Sequence, residues 1–501
     1  MFTVVGMTQV SLWLAKERAV PGVTAFTAAV AVILIYFTSW TLYSFYFHPL
    51  HTYPGPKLSA ISRIPYWYAC LTGNQVRWMT KLHKKYGPVV RLAPDDLSYT
   101  DGRAWKDIHV VPKGSKENPK EVKYHAPSAN GVPTILVLND RERHAAVRRV
   151  FSPAFSEKAL KAQESLFQGY ANTMIAKARE KKTVNLTQLY NFTTFDVMAD
   201  LAFGKSLGLL EGEDASWVST IFGSISLLPW LQFIEFYPLT RKLYALLEPK
   251  SIAKRRLDHF HYTTSRVDKR LKEGSDKQDL WKFVIDSNQL TLGDMHINAE
   301  LFMSAGTETT ASLLTGLTYY LLKNPDKLKI LVDEIRGKFR GNEEITFEAL
   351  AGMPYLNACI REGLRVYPPV PTNVPREIAE GGNFVLGKWL PAGTRVSVHH
   401  NATYRSPANF KNPDKFTPER WLGDPEYKDD NREAHQPFNV GPRNCLGMNM
   451  AWHEMRLLLA KMVFNFDIET DEGPEWLDQD VYIIWDRKPL VCRLAEVAPQ
   501  P

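Results

Sequence analysis

The residue best placed to do chemistry is Cys445, in the loop Phe438-Asn-Val-Gly-Pro-Arg-Asn-Cys-Leu-Gly447. Apolar residues at helical spacing predict an amphipathic helix directly after it, from Met448 to Phe464. The sulfur would then lie at a helix N-terminus, where the dipole and free N–H groups favour thiolate over thiol. A lone cysteine is more often a small buried hydrophobic residue. A single thiolate donor in such a loop instead suits heme iron, onto which it pushes electron density.

An acid and an alcohol stand side by side in a second segment, Ala305-Gly-Thr-Glu-Thr-Thr310, inside an apolar helix predicted from about Ala299 to Leu322. Gly306 weakens the helix, and threonine hydroxyls compete for backbone carbonyls, so the helix can open a small groove there. Glu308 and Thr309 in that groove could relay protons. The alternative is a helix with an incidental polar patch.

A third segment carries a charged pair, Glu362 and Arg365, three residues apart on one helix face. An exposed pair of this kind would contribute less than about 1 kcal/mol. No other Glu in the chain has an Arg three residues further on, and the pair is followed by Phe416-Thr-Pro-Glu-Arg420. These two segments therefore point to more than a surface ion pair.

Five residues of the cysteine loop resemble the heme-binding signature of the cytochrome P-450 family position by position: Phe438, Gly441, Arg443, Cys445 and Gly447. The resemblance implies that Cys445 is the axial ligand of heme b and that Phe438 packs beside the thiolate and tunes it. It also implies that Arg443 pairs with a heme propionate, for which the planar guanidinium is well suited, and that Gly447 lets the helix approach the porphyrin.

The other segments follow in the order that the family requires. By resemblance, Glu308 and Thr309 are catalytic and deliver the protons that O–O cleavage needs. Glu362, Arg365 and Arg420 would form a buried Glu-Arg-Arg network that supports the heme pocket. The segment from His144 to Ser156 resembles the helix whose Trp and Arg, four apart, contact the propionates; the residues expected to bind the propionates are therefore Arg148, with His144 in place of Trp, and Arg376 as a third partner.

Substrate contacts are implied only by position in the family pattern. They fall in the loop Asn130 to Ile135, the stretch from Ile221 to Pro238 and the segment Val481 to Ile484, and the individual residues expected to line the pocket are Phe302, Ala305, Thr372, Asn373, Val374 and Tyr482. Most of these side chains are uncharged, so we expect an apolar pocket with few polar anchors.

The elements that must position these residues are mainly helical. Helices are predicted at Lys158 to Lys181, Leu257 to Leu271, Asn298 to Leu322 and Met448 to Phe464, whereas Val89 to Leu92 and Thr394 to Val398 form short strands. The expected architecture is mainly α with small β-sheets, a cytochrome P-450 fold preceded by one N-terminal transmembrane helix. The apolar stretch 221 to 238 fits either ordinary core or a loop that dips into a membrane.

The N-terminal region carries no Asp, Glu, Lys or Arg from Ala19 to Pro56, and about 20 apolar residues are enough to span a bilayer. A cleaved signal peptide is the alternative, but the apolar run is too long and ends in bulky aromatic residues. We divide the chain into a short N-terminal segment (1–22), a transmembrane anchor (23–47), a Pro-rich linker (48–57) and a heme-thiolate monooxygenase domain (58–501).

Composition limits the other possibilities. The four cysteines have no close pair among them, which disfavours a disulfide framework or a zinc site. The net charge of +7 is too small and dispersed to indicate nucleic acid. The three Asn-x-Thr sequons, at Asn185, Asn191 and Asn401, would matter only if the catalytic domain were lumenal.

The resemblance, which is strongest to membrane-bound members from filamentous fungi, implies a heme-dependent monooxygenase. Such an enzyme inserts one oxygen atom from O2 into a hydrophobic small molecule by hydroxylation or epoxidation, and many fungal members act on secondary metabolites such as terpenoids, polyketides or alkaloids. The electrons would come from NADPH through a membrane-bound cytochrome P-450 reductase, with cytochrome b5 as a further candidate partner. We expect a single-pass protein of the endoplasmic reticulum membrane with a cytosolic catalytic domain.

Two alternatives remain on the sequence alone. A heme-thiolate isomerase or dehydratase would use the same fold without a reductase, and turnover that persists without NADPH would identify it. A non-catalytic membrane heme protein, acting as a sensor or binding module, would consume no oxygen with any ligand.

Overall fold

The computed structural model describes residues 21–110, 116–121, 123, 130–213, 225–274, 279–372 and 374–497. Helices dominate this part of the chain, as predicted. In chain order, α1 to α19 are Pro21–Tyr46, Lys57–Ile61, Ile64–Leu71, Gln75–Tyr86, Ala104–His109, Arg141–Phe151, Glu157–Ala162, Glu164–Arg179, Leu186–Phe203, Leu228–Phe236, Pro238–Leu247, Lys250–Lys272, Leu280–Ser287, Leu292–Leu322, Pro325–Lys338, Phe347–Ala351, Pro354–Val366, His400–Tyr404 and Met448–Asn465.

The strands are short and form four small sheets. In chain order, β1 to β11 are Val89–Ala93, Asp96–Tyr99, Thr183–Asn185, Arg376–Glu377, Asn383–Val385, Lys388–Leu390, Arg395–Val398, Phe466–Glu469, Val481–Tyr482, Ile484–Trp485 and Val491–Glu496. The four-stranded sheet has the order β1-β2-β7-β4, with β2 and β7 parallel and the other pairs antiparallel. A three-stranded sheet has the order β3-β11-β8, and β5–β6 and β9–β10 form separate pairs.

Helix α1 is the apolar helix expected at the N-terminus. Its stretch from Ala25 to Tyr46 is long and apolar enough to cross a membrane, with a mean hydropathy of 1.8, and residues 25–39 are all exposed. After Tyr46 the chain passes through turns to α2, which begins at Lys57. The domain boundaries given above remain predictions.

Helix α14 runs through the centre of the main core and is longer than predicted. It begins at Leu292, because Thr291 and Asp294 form a reciprocal capping box in which each side chain accepts a hydrogen bond from the other's backbone N–H. The prediction relied on apolar spacing and therefore missed this polar first turn. The helix packs on α9 and contacts α17 and α19, and its Thr310 hydroxyl lies within hydrogen-bond reach of Glu454 on α19.

Other predicted helices differ mainly at their ends. The predicted helix from Lys158 to Lys181 is interrupted at Gln163, which separates α7 from α8. The stretch from Ile221 to Pro238 is neither wholly core nor wholly loop: residues 221–224 lie outside the described part, and α10 buries Pro229 but leaves Trp230 48% exposed.

Candidate functional site

The loop before α19 folds back on itself around Cys445. The Cys445 N–H donates a hydrogen bond to the Phe438 carbonyl oxygen at 2.8 Å. Gly441 has a φ of 82°, which favours glycine. A Cβ there would also collide with the backbone carbonyl oxygen of His109, which is a second reason for glycine at this position. Gly447 is different, because it is the N-cap of α19 and a Cβ would meet only the Phe155 ring, at 3.8 Å. Protein atoms alone therefore leave room for a side chain at Gly447, the position expected to approach a flat cofactor.

Cys445 is accessible to solvent, but it lies below the protein surface with many protein atoms around its sulfur. Burial raises the pKa of its thiol, while a hydrogen bond from the Gly447 backbone N–H and the charge of Arg148 act in the opposite direction. The local effects predicted from the sequence are therefore present, but burial outweighs them. A thiolate at this position needs a further positive partner, which a bound metal ion would supply.

Helix α14 has two accessible residues at the predicted turn. Ala305 is exposed and Thr309 is partly exposed, whereas every residue from Thr310 to Leu321 is buried. The Thr309 hydroxyl donates to the Ala305 carbonyl oxygen at 2.8 Å, and the Thr307 hydroxyl donates to the Met303 carbonyl oxygen at 2.6 Å. The two threonine hydroxyls therefore donate hydrogen bonds to backbone carbonyl oxygens, as expected, but the helix is not interrupted.

Glu308 lies beside Thr309 in sequence but is buried in an ion pair. Its Oε2 accepts a hydrogen bond from the Arg487 guanidinium at 2.6 Å, and Arg487 also donates to Asn191 Oδ1 at 3.1 Å. Its Oε1 has no hydrogen-bond partner among the described residues. Burial raises the pKa of Glu308, and Arg487 opposes this shift. Arg487, which is 179 residues further along the chain, was not predicted as the partner of Glu308.

Basic side chains gather beside the cysteine loop. The Arg148 guanidinium donates to the Asn444 carbonyl oxygen at 2.8 Å, directly before Cys445. Arg443 donates to the Asn139 carbonyl oxygen at 2.8 Å and forms an ion pair with Glu117. Arg376 lies 3.7 Å from the same carboxylate, and its Nε has no hydrogen-bond partner among the described residues.

Lys120 completes this cluster and was missed from the sequence. Its side-chain nitrogen donates to the Ile135 carbonyl oxygen at 3.3 Å. Burial, followed by the charges of Arg376 and Arg443, lowers its pKa to about 6. The cluster holds more basic groups than its carboxylate, Glu117, can neutralise, which fits binding of the two heme propionates.

His144 occupies the position at which the family pattern has Trp. It is buried on α6, and burial together with Arg443 and Lys120 lowers its pKa to about 4. His144 is therefore neutral at physiological pH and can offer a propionate one uncharged N–H donor, whereas Arg148 keeps a charge. Both line a cleft of about 720 Å³, together with Glu117, Arg141, Ala145, Arg149, Ser152, Pro153, Pro442 and Arg443.

Glu362, Arg365 and Arg420 meet in a fully buried network. Arg365 donates to both carboxylate oxygens of Glu362, at 2.9 and 2.7 Å, and Arg420 donates to Oε1 at 3.1 Å. The backbone N–H of Thr417 and the indole N–H of Trp421 complete the carboxylate's hydrogen bonds. Burial alone would raise the pKa of Glu362, but the two arginines hold it below its ordinary value.

The residues expected to line a substrate pocket have mixed positions. Ala305 is exposed, and Val374 and Tyr482 are partly buried. The Phe302 ring packs on the rings of Phe151 and Phe155, at centroid distances of 4.8 and 5.7 Å, and its place in a substrate pocket remains a prediction.

Two further pocket predictions fall on the segment before β4. Thr372 is fully buried and its hydroxyl donates to the Ile483 carbonyl oxygen at 3.0 Å, so it ties down the β9–β10 turn, which the prediction did not foresee. Ile483 adopts a φ of 77°, which is unusual for a β-branched residue and gave no signal in the sequence. Asn373 lies outside the described residues.

An accessible thiol, a surplus of basic groups beside it and a partly exposed threonine on a long helix fit the heme-thiolate site that the resemblance implies. The comparisons agree: residues 55–490 match the family described as cytochrome P450. The chain belongs to the cytochrome P450 family and is a monooxygenase, an oxidoreductase.

Curated relatives cover almost the whole chain. Cytochrome P450 monooxygenase efuB of Hormonema carpetanum is 44% identical over 93% of this chain and 95% of its own length. Cytochrome P450 monooxygenase FUM2 of Gibberella moniliformis is 43% identical over 91% of this chain and 99% of its own length. Averantin hydroxylase of Dothistroma septosporum is 40% identical over 94% of this chain and 91% of its own length.

The left-handed turn at Gly441 should be intolerant of substitution. We expect Gly441→Ala to lower the free energy of unfolding by about 1–2 kcal/mol for its positive φ and by about 1–3 kcal/mol more for the collision with the His109 carbonyl. Gly423 has a similar φ of 88° with nothing within 4 Å of a Cβ, so Gly423→Ala should show only the first cost. Urea unfolding of both variants measures the difference, and equal losses would contradict the steric argument.

Proposed function

We propose that this protein uses heme b to insert one oxygen atom from O2 into a hydrophobic small molecule, by hydroxylation or epoxidation. The observation that carries the proposal is the accessible Cys445 thiol, placed beside Arg148 and a cluster with more basic groups than carboxylates. A soft anionic donor of this kind favours O–O cleavage at heme iron.

Each part of this arrangement has a proposed role. Heme, when bound, supplies the activation of O2 and the transfer of one oxygen atom to the substrate. Cys445 would hold the iron, with Phe438 beside it and Gly441 shaping the loop. The residues that would hold the propionates are Arg148, Arg376, Arg443 and His144, to which we add Lys120.

Proton delivery is assigned to Thr309 and Glu308. The Thr309 hydroxyl is accessible and already hydrogen-bonded, so it can pass a proton on. Glu308 is buried and tied to Arg487, and it would exchange protons when that ion pair opens. We propose that Arg487 controls when Glu308 can act.

Electrons would come from NADPH through a membrane-bound reductase, with cytochrome b5 as a second candidate partner. The exposed Arg141 and Arg149 lie on the rim of the cleft beside Arg148 and Arg443, and they offer a basic surface to an acidic partner. The apolar helix α1 supports a single-pass anchor at residues 23–47, and we assign the protein to the endoplasmic reticulum membrane with a cytosolic body from residue 58.

The substrate class rests on the relatives. One of them is named averantin hydroxylase, and the relatives described above come from fungi. We propose a secondary metabolite, such as a terpenoid, polyketide or alkaloid, as the substrate. The exposed Ala305 and the partly buried Val374 and Tyr482 would contribute to its pocket.

The proposal is tested by reconstituting the holoprotein with a cytochrome P450 reductase, NADPH and 18O2 over a panel of hydrophobic compounds. One 18O atom per product molecule, with no turnover when NADPH is withheld, is the expected result. Turnover without NADPH, or products free of the label, would point to an isomerase or dehydratase instead.

Removing the Thr309 hydroxyl should uncouple oxygen use from product formation. We expect Thr309→Ala to lower the rate of product formation by about 10²-fold or more, the range of a lost proton-transfer group, and to lower the product formed per O2 consumed, while heme binding is unchanged. Thr315, six residues further along the helix, makes the same type of hydrogen bond, at 2.8 Å from the Ala311 carbonyl oxygen, but is fully buried. Thr315→Ala should therefore stay coupled, and equal coupling in both variants would remove Thr309 from the relay.

A further inference from the structure

Four aromatic side chains form a continuous stack between β10 and the C-terminal end of α14. All four are buried, and in order along the stack they are Trp485, Tyr367, Trp476 and Tyr319. The centroids of successive rings lie 4.7, 6.1 and 4.5 Å apart, with interplanar angles of 13°, 29° and 18°. Each ring therefore lies nearly parallel to the next, at distances that aromatic pairs favour.

The inner end of the stack lies beside the residues assigned to proton delivery. Trp485 directly follows the segment Val481 to Ile484, which is expected to border the substrate, and Arg487, two residues further on, pairs with Glu308. Burial raises the pKa of Tyr367, and the charges of Arg487 and Glu308 also act on it. The stack therefore begins next to the proposed relay.

The outer end of the stack lies just below the protein surface. The Tyr319 hydroxyl donates to the carbonyl oxygen of Gly473, a partly exposed residue, at 2.8 Å. The side-chain nitrogen of Lys323, an exposed residue, lies 5.9 Å from the centroid of the Tyr319 ring. A proton released by this hydroxyl would therefore have only a short way to solvent.

The stack is packed directly against α14. A Cβ at Gly316 would collide with the Tyr367 ring, so any other residue at this position would displace the ring. Glycine inside a helix lowers stability relative to alanine. Here it lets Tyr367 lie on the backbone of the helix that carries Glu308 and Thr309.

Hydrogen bonds also fix the polar groups of the three inner rings. The acceptors lie 2.6, 2.9 and 2.8 Å from the polar groups of Tyr367, Trp476 and Trp485, and they are Gln479 Oε1 and the carbonyl oxygens of Pro489 and Pro368. Each ring is therefore held in one orientation. The acceptor of Tyr367 is buried, so the proton of Tyr319 has the shorter route to water.

The composition of the stack suits electron transfer. Trp and Tyr lose a single electron more readily than other ring side chains, and contact between rings lets a neighbour replace that electron. Packing alone would be served equally well by Phe, of which the chain has 25, yet none of the four stacked positions is Phe. A stack built from Trp and Tyr alone can pass electrons one at a time between its two ends.

We propose that this stack transfers electrons from Tyr319 to the heme pocket, and that it thereby lets the protein reduce a peroxide when no substrate is bound. This inference rests on the proposed binding of heme. The peroxide, ROOH, takes up two electrons and two protons in the pocket, its O–O bond breaks, and an alcohol and water are formed. The protons come from solvent through the relay.

The electrons are supplied one at a time from the outer end. Each electron that leaves Trp485 is replaced through Tyr367 and Trp476 by Tyr319, which loses its hydroxyl proton to solvent and becomes a phenoxyl radical. A reductant of the ascorbate class returns one electron and one proton to this radical. One ascorbate, which gives two electrons and two protons, therefore balances the reduction of one peroxide.

Radical spectroscopy on the full-length holoprotein tests the inference. The protein is prepared with ordinary and with ring-deuterated tyrosine, mixed with cumene hydroperoxide without substrate or reductase, and frozen rapidly for electron paramagnetic resonance. We expect a tyrosyl signal whose ring-proton splitting disappears on deuteration. Ascorbate should remove this signal and should be oxidised in proportion to the peroxide consumed.

Two substitutions interrupt the stack at different points. Tyr319→Phe keeps the ring on Trp476 but removes the hydroxyl, and Trp476→Phe replaces the ring in the middle. We expect both variants to lose most of the tyrosyl signal, to oxidise ascorbate more slowly and to bleach their heme faster under peroxide. Tyr427→Phe is the control, because Tyr427 is similarly buried, at 6% exposed against 3% for Tyr319, but packs under the Arg420 guanidinium at 4.5 Å. It should behave as wild type.

Two results would overturn the proposed electron transfer. One is a tyrosyl signal of wild-type size in both Tyr319→Phe and Trp476→Phe, each with an intact carbon-monoxide difference spectrum. The other is a wild-type signal that tyrosine deuteration leaves unchanged. A stack that only stabilises the fold would lower the stability of Trp476→Phe but would leave the radical in Tyr319→Phe as it is in wild type.

The outcomes also separate this inference from the proposed function. A protein that binds no heme would refute both together. A missing tyrosyl radical in protein that incorporates 18O would refute the electron transfer alone. A radical that depends on Tyr319, in protein that incorporates no 18O, would support the stack and refute the proposed oxygen insertion.

Discussion

Replacing Cys445 by serine should abolish the strongly red-shifted Soret band of the reduced, carbon-monoxide-bound protein, and product formation should fall below detection. The sulfur is the soft donor of the loop, and a hydroxyl at the same place cannot push comparable electron density onto iron. The hydrogen bond from the Cys445 N–H to the Phe438 carbonyl belongs to the backbone and survives the substitution, so the loop should keep its shape. Absorption spectra of the reduced wild type and variant, at equal heme content, measure the effect.

Cys70→Ser is the matched control for this experiment. Cys70 is buried in a separate apolar cluster with Tyr66 and Trp67, and burial raises the pKa of its thiol to about 12, so it has no donor role. The control should therefore keep the shifted band even if it is somewhat less stable. A shifted band in Cys445→Ser, or a wild type without one despite full heme loading, would show that Cys445 is not the ligand.

The chemistry-bearing segments were predictable because their signals are local. The spacing of Phe438, Gly441, Arg443 and Cys445 lies within one loop, and the run from Ala305 to Thr310 lies within one helix turn and a half. The helix that follows the loop was also predicted within one residue, from Met448 to Asn465, because apolar spacing continues to its end.

The partners of these residues could not be predicted in the same way. Glu308 meets Arg487, Arg443 meets Glu117 and Arg420 meets Asp430, and two of these pairs join residues more than 100 positions apart. Such pairs depend on how the helices pack, which apolar spacing within one element does not specify. Phe302 illustrates the same limit, since its burial depends on Phe151 and Phe155 of another part of the chain.

Removing the charge of Glu362 should destabilise the protein by about 3–5 kcal/mol, the cost of leaving a buried cation without its partner. Glu362→Gln keeps the shape of the side chain, but Arg365 would retain only carbonyl partners, whereas Arg420 would keep Asp430. Both arginines are at most 1% exposed, so water cannot compensate the loss. The urea concentration that unfolds the holoprotein, with the slope held in common, gives the difference in the free energy of unfolding.

The exposed pair Lys177–Glu180 provides the control, because it has the same three-residue separation and a contact of 3.1 Å, with exposed fractions of 30% and 56%. Glu180→Gln should cost less than about 0.5 kcal/mol.

The loss of stability in acid provides a second measurement of the role of Glu362. The folded pKa of Glu362 lies below the ordinary value of 4.5, so its contribution to stability is present above that pH and is lost as the pH falls through the folded pKa. Glu362→Gln should therefore lack this part of the acid-induced loss, and a variant that matches wild type in both urea and acid would show that the three residues do not support the fold through their charges.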